Sequence, residues 1–394
     1  MTEYRKTTDA EIFGISQSVL SSRGALNTAR EIAQQPQKWR ALADQFEDNM
    51  ENIAALTAQL DAETFPEILF TGAGSSAYAG EIAATETMFS RRRRARMVAT
   101  TDIVSGCRNY LLDGENPLLV SFARSGDSPE SLAATRIMDS LGGRTSHLYL
   151  TCNPDGALAK SVDGNTRRSI IMPEGTNDAG FAMTSSFTCM TLAALALFAA
   201  PDLKSGISAI RSLADRADAL LAQWAEIAEL AKQEHHRVIY LGSGPQKGAA
   251  TEAALKLLEL TDGKVMACSY NPMEFRHGPK TVVSDKRTLV VGFLNRNEDS
   301  RRYTNDILDE LVRDARAEVW AVSPEPGTAT QGVTEFSAGR NAIPGPGDGW
   351  LAVENVVFAQ TFAFFKSLSL GFTVDNPVPS GEVNRVVQHV KIYA

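Results

Sequence analysis

The chain has 394 residues, with 39 basic and 47 acidic side chains and a net charge of −8. Hydrophobic residues make up 43% and charged ones 22%, which excludes wholesale disorder. The length suits two domains or one doubled unit, and the acidic balance argues against a nucleic-acid partner, which needs a basic face.

Residues 1 to about 60 carry apolar positions at three- and four-residue spacing, and this predicts an amphipathic helical arm. Pro66 ends it. Glu67-Ile-Leu-Phe-Thr-Gly-Ala-Gly-Ser-Ser then reads as a short apolar strand entering a glycine turn, followed by an Ala-rich helix from about Ala77. The pattern returns at Arg237-Val-Ile-Tyr-Leu-Gly-Ser-Gly-Pro-Gln. Gly72 corresponds to Gly242 and Gly74 to Gly244, both at an offset of 170 residues (242 − 72). Strand, glycine turn and helix occurring twice predict two copies of one α/β unit. Further strands are expected at Leu118–Phe122, His147–Thr151, Ser169–Met172, Thr288–Phe293 and Glu318–Val322. Alternating with helices, they predict a parallel, doubly wound sheet with sites at the carboxyl ends of its strands. Phe187 to Ala200 is the longest apolar run. It is shorter than the roughly 18–20 residues of a membrane span, so it reads as a buried helix. The stretch from Ser205 to Lys232 is helical and links the halves.

Four cysteines, Cys107, Cys152, Cys189 and Cys268, form no CxxC motif and do not group with the five histidines. No metal site, redox cofactor or disulfide framework is expected. The first residues lack the apolar core of a signal peptide, so a cytoplasmic protein with no membrane partner is expected. Arg91 to Arg96 lacks interleaved aromatics and reads as a solvated or interface edge.

Four constellations could carry chemistry. The first is Ser121-Phe-Ala-Arg-Ser-Gly-Asp-Ser-Pro-Glu-Ser, which follows a strand and opens a helix with Ser128 as N-cap and Pro129 at N1. Its hydroxyls, backbone N–H groups and Arg124 suit a phosphate dianion, with Ser125, Gly126 and Ser128 in the turn. Spacing alone equally allows a capped helix with nothing bound. The second copy, Val290-Val-Gly-Phe-Leu-Asn-Arg-Asn, keeps the strand but loses the serines and turn glycine. A loop needed only by the fold would recur, so a ligand role in the first half is favoured.

The second is Gly72-Ala-Gly-Ser-Ser, where Ser75 and Ser76 could reach the same anion. A lone GxG more often serves packing. The third is the helix around Thr251 to Leu260, in which Glu252, Lys256 and Glu259 share one face. Such a stripe is commonly solvated, but Ala and Leu fill the rest of the circumference. This predicts a mostly buried helix with a narrow polar stripe facing a cleft. The fourth is Asn271-Pro-Met-Glu-Phe-Arg-His-Gly-Pro-Lys, where His277 on a turn could shuttle protons. A lone histidine is more often structural, and His147, His235, His236 and His389 are read that way.

With these residues in view, the chain resembles the sugar isomerase (SIS) family, from about residue 40 onward. The serine loop at 121–131, the Glu252–Glu259 helix and the Glu274-Phe-Arg-His277-Gly-Pro turn match the isomerase half of glucosamine-6-phosphate synthase. The loop and the tail Gly381-Glu-Val-Asn-Arg-Val-Val-Gln resemble the tagatose-6-phosphate ketose/aldose isomerase-like group, regarded as galactosamine-6-phosphate deaminases. The resemblance implies α/β architecture with two flavodoxin-like SIS domains and an N-terminal helical arm. The expected divisions are 1–48 for the arm, 49–204 and 233–380 for the SIS domains, 205–232 for the linker helix and 381–394 for the tail. It also implies a homodimer or dimer-based oligomer with active sites at the subunit interface.

By position, Ser76, Ser125 and Ser128 would hold the phosphate and Glu259 would move a proton between C1 and C2, with Lys256 beside it. His277 would come from the neighbouring subunit to assist ring opening. Glu252 and Gln388 would be further substrate contacts. Ala123 and Arg124 replace a serine and a glutamine of the synthase pattern, and Gln388 replaces its functional tail lysine. Thr2 rather than cysteine follows Met1, so no glutaminase half is expected. The implied reaction converts an amino-sugar 6-phosphate, D-galactosamine 6-phosphate first, to the ketose phosphate and ammonia without a cofactor. The alternatives are an aldose–ketose isomerase, a fructosamine-phosphate deglycase and a phosphosugar-binding regulator.

Overall fold

The computed structural model describes residues 10–63, 65–141, 145–345, 347–385 and 390–393. Strand-forming apolar runs build two parallel five-stranded sheets. The first contains β1 (Ile68–Thr71), β2 (Ala95–Met97), β3 (Leu118–Phe122), β4 (Ser146–Thr151) and β5 (Arg167–Ile171). The second contains β6 (Arg237–Leu241), β7 (Met266–Tyr270), β8 (Thr288–Phe293), β9 (Glu318–Val322) and β10 (Thr334–Phe336). Their orders are β2-β1-β3-β4-β5 and β7-β6-β8-β9-β10, the same permutation twice. This is the flavodoxin-like order, and its switch point lies between the first and third strands of each sheet. The duplication read from the glycine turns is therefore a duplication of topology.

Each turn has the same backbone shape. Gly74 has φ +55° and Gly244 φ +58°. A Cβ at Gly72 would meet Ser76 O at 2.7 Å, and one at Gly242 would meet Gln246 O at 2.2 Å. These glycines answer a steric need common to both halves, so they carry no ligand information.

Eight helices matter below: α1 (Gln35–Asp48), α2 (Ser75–Arg91), α3 (Pro129–Ser140), α4 (Ser185–Phe198), α5 (Leu203–Leu221), α6 (Pro245–Leu260), α7 (Glu298–Asp314) and α8 (Gly349–Ser369). The apolar run at 187–200 is the buried helix α4 and its end. Thr188 accepts a hydrogen bond from Trp39 Nε1 at 3.0 Å and donates to Gln35 Oε1 at 2.8 Å, so its hydroxyl is satisfied inside the core. No described helix is long and apolar enough to cross a membrane.

One apolar core runs through both halves, joining Ile82 and Ala83 of α2 to Ala249 and Ala253 of α6 and Val356 of α8. At Gly248 a Cβ would lie 2.8 Å from Ile82 Cγ1 and 3.1 Å from Tyr78 O. This close approach of α6 to α2 brings a second-half helix against the first-half glycine turn. The basic run at 91–96 is used by the fold at its ends. Arg91 donates to Ala200 O at 3.0 Å, and Arg96, on edge strand β2, forms a two-pronged pair with Glu67 at 2.8 and 2.9 Å.

Candidate functional site

The loop after β3 reaches α3 through a turn at Gly126, whose φ of +71° favours glycine. Ser128 caps α3, accepting from Ser131 N at 3.4 Å and bonding Ser131 Oγ at 2.7 Å, with Pro129 in the first turn. Ser125 Oγ accepts from Asp127 N at 3.3 Å. This loop and the first glycine turn enclose a cavity of about 120 Å³, lined by Ser76, Arg124, Ser125, Gly126, Ser128 and Ser131 among others. Hydroxyls, a helix N-terminus and a cation converge there, which is the chemistry of an anion site. Arg124 is 7% exposed and its Nη1 has no hydrogen-bond partner. Burial, and then the nearby Arg385, pull its pKa below the usual guanidinium value.

The second half brings a carboxylate of its own to the equivalent loop, at the edge of a cavity of about 450 Å³. Asn295, just after β8, donates to Asp348 Oδ2 at 2.8 Å and accepts from Ser243 Oγ at 2.8 Å. Arg296 N donates to Asp348 Oδ1 at 2.7 Å. A protein carboxylate sits where a bound anion would use the loop, which gives the missing serines a physical reason.

Helix α6 is mostly buried, as the Ala and Leu around it predict, but its polar stripe does not open on a cleft along its length: only Glu259 reaches the surface. Glu252 and Lys256 are inaccessible, while the Glu259 side chain is 24% exposed. Lys256 Nζ donates to Ser75 Oγ at 2.9 Å, lies 3.4 Å from Glu252 Oε1 and also donates to Glu259 Oε2. One ammonium thus ties two second-half carboxylates to the first-half turn. Burial pushes the Glu252 carboxyl up to about 7; Lys256 opposes that rise and Glu259 adds to it. Burial alone would lower the Lys256 ammonium, but the two carboxylates outweigh it and hold it above its ordinary value.

The predicted residues therefore fall into two adjoining groups. Ser76, Arg124, Ser125, Gly126 and Ser128 share the cavity, while Ser75, its neighbour in sequence, faces Lys256 with Glu252 and Glu259. His277 is exposed at the end of a short turn and is not among the residues lining that cavity. Gln388 lies outside the described residues.

Three contributors escaped the sequence reading. Arg385 and Met183 also line the cavity. Asp178 organises its wall, its two oxygens accepting from the backbone and hydroxyl groups of Thr184, Ser185 and Ser186. Only the run Thr184-Ser-Ser at the start of an apolar helix hinted at such an acceptor.

No protein-family model matches the chain. A curated relative, the D-galactosamine-6-phosphate deaminase AgaS of Shewanella sp. (strain ANA-3), is 38% identical over 385 residues, covering 96% of this chain and 95% of the relative. The chain belongs to the AgaS family. The AgaS relative of Escherichia coli O157:H7 is 39% identical over 382 residues, covering 93% of this chain and 95% of its own. Among solved structures, the tagatose-6-phosphate ketose/aldose isomerase from Escherichia coli superposes with a TM-score of 0.83 at 35% identity, covering 93% of this chain and 96% of that one. That solved isomerase thus shares this chain's two-sheet architecture, which agrees with the SIS resemblance.

Proposed function

We propose that this protein is an amino-sugar-phosphate deaminase that converts D-galactosamine 6-phosphate and water to tagatose 6-phosphate and ammonia. Its AgaS relatives carry that substrate in their names, at 38–39% identity over nearly the whole chain. The observation that carries the reading is the Lys256 bridge. It sets a partly exposed carboxylate, Glu259, beside the first-half turn whose next residue, Ser76, lines the anion cavity.

In this reading the phosphate dianion occupies the cavity and supplies remote binding energy for the reacting carbons. His277, donated by a second subunit, moves a proton between the ring oxygen and O1 to open the sugar. Its exposure in the single chain supports a role completed by a partner. The C1 aldehyde acidifies the C2 proton, which Glu259 removes. The resulting enolamine takes a proton at C1 and becomes a ketimine, and water replaces its nitrogen to release ammonia. Lys256 holds the Glu259 carboxylate oriented, and the step needs no group beyond these side chains. The enzyme is accordingly a hydrolase of a C–N bond, cytoplasmic and dimer-based, acting on a small sugar phosphate.

The name of the Escherichia coli structural relative favours one second reading, aldose–ketose isomerisation without loss of nitrogen. The same base would serve it. The test is ammonia release across a panel of amino-sugar 6-phosphates, run with Glu259→Gln beside the wild type. Release from the galactosamine ester, lost by about 10²-fold or more in the variant while phosphate-ligand affinity is kept, is expected. Wild-type turnover in Glu259→Gln would remove the mechanism. Isomerisation of tagatose 6-phosphate with no ammonia from any amino sugar would select the second reading.

A further inference from the structure

Two guanidiniums stand at the anion cavity, and only one of them belongs to the serine loop. Arg124 uses Nη2 to donate to the main-chain oxygen of Arg385 at 2.8 Å, which leaves its buried Nη1 without a partner. Arg385, exposed on the C-terminal tail, lines the same cavity. Its Nη2 donates to the main-chain oxygen of Asp178 and lies 3.3 Å from Asn177 Oδ1.

Among the described residues, no ion pair within 4.0 Å joins either guanidinium to a carboxylate. The nearby carboxylate, Asp178, has both oxygens filled by Thr184, Ser185 and Ser186. Two guanidiniums are thus held together at a cavity with no directly paired carboxylate, Asp178 and Glu259 offsetting Arg124 only from a distance, so an arriving anion can pair with both. The forked donors of arginine fit a phosphate in a way that an ammonium does not.

We propose that Arg385 is an anion-binding residue, brought by the C-terminal tail to complete the phosphate site that Arg124 and the serines begin. It rests on the reading that the cavity takes the substrate's phosphate. Because Arg124 grips the Arg385 backbone, anion binding and the seating of the tail reinforce one another. The residue touches the non-reacting end of the substrate, so its loss removes part of the remote binding energy and is read most directly in phosphate affinity.

The test titrates inorganic phosphate calorimetrically into the full-length wild type, Arg385→Met, Arg385→Lys and Arg124→Met. Arg385→Met is expected to weaken phosphate binding roughly ten- to a hundredfold, with Arg385→Lys intermediate. In turnover, kcat/KM for Arg385→Met falls by a factor similar to the loss in phosphate affinity, with KM raised. Unchanged phosphate affinity in Arg385→Met beside a loss in Arg124→Met overturns the role of Arg385 and leaves the cavity assignment standing. Unchanged affinity in both variants overturns the two together. Weakened binding in a protein that releases no ammonia sustains the anion site and removes only the deaminase reading.

Discussion

Lys256→Met removes the one cation shared by Glu252, Glu259 and Ser75 while keeping the side chain's bulk. The wild-type ammonium lies 3.4 Å from Glu252 Oε1, which at an effective dielectric of 20 corresponds to about 5 kcal/mol of attraction. That full loss is not expected, because Glu252 can escape by taking a proton. Its carboxyl already titrates at about 7 with the lysine present, against 4.5 for the ordinary group. Without the lysine it rises further.

A carboxyl whose folded value is raised contributes stability that is intact below its unfolded value and lost as pH climbs through the folded value. In the wild type that loss ends soon above pH 7. In the variant the folded protein keeps the proton, so each further pH unit costs about 1.4 kcal/mol relative to the unfolded chain. At pH 6 the deficit comes mainly from the lost Ser75 bond and the Glu259 pairing, about 1–2 kcal/mol. At pH 8.5 it grows by about 2 kcal/mol, reaching the roughly 3–5 kcal/mol typical of a broken buried pair. Urea unfolding of both proteins at the two pH values reads the difference. Equal destabilisation at pH 6 and pH 8.5 would refute the view that Glu252 is a strained, buried acid balanced by Lys256.

Further variants probe the supports of the site. Ser128→Ala removes the cap of α3 and is expected to lower stability by about 1 kcal/mol in thermal unfolding and to weaken phosphate binding as well. Asp178→Asn cannot accept the backbone and hydroxyl donors of residues 184–186 at both atoms. A loss of about 2–4 kcal/mol is expected, with faster amide hydrogen exchange at the start of α4. Glu310 clamps both flanks of the His277 turn, pairing with Arg276 at 3.1 Å and with Lys280. Glu310→Gln should leave global stability within about 0.5 kcal/mol, as expected of partly exposed pairs, while lowering turnover of the cyclic sugar.

The duplicated glycine turns, the capped serine loop and the burial of most of α6 were legible, because each rests on local periodicity or cap chemistry, whereas the sequence pointed the polar stripe at a cleft and the fold buries Glu252 and Lys256. Ser128 and Pro129 announce a helix start in any fold, and an Ala/Leu circumference around Glu252 and Lys256 announces burial. The strands at Ala95–Met97, Met266–Tyr270 and Thr334–Phe336 went unread. All three lie at sheet edges and are only partly buried, and two are just three residues long, so they lack the continuous apolar run that marks a fully buried central strand such as Leu118–Phe122. The partner of Ser75 was equally hidden. That Ser75 meets Lys256, 181 residues away, while Ser76 turns to the cavity, depends on how closely α6 approaches α2 at Gly248. Arg385 sits in a polar tail with no periodicity, and only the fold brings it to Arg124.

A crystal structure of the Glu259→Gln protein with galactosamine 6-phosphate bears most directly on the central claim, that one half grips the anion while the other acts on the sugar. The phosphorus is expected among the hydroxyls of Ser76, Ser125 and Ser128, with C2 beside the residue-259 side chain. Density for the phosphate at Asn295, or a sugar whose first two carbons lie away from position 259, would contradict it.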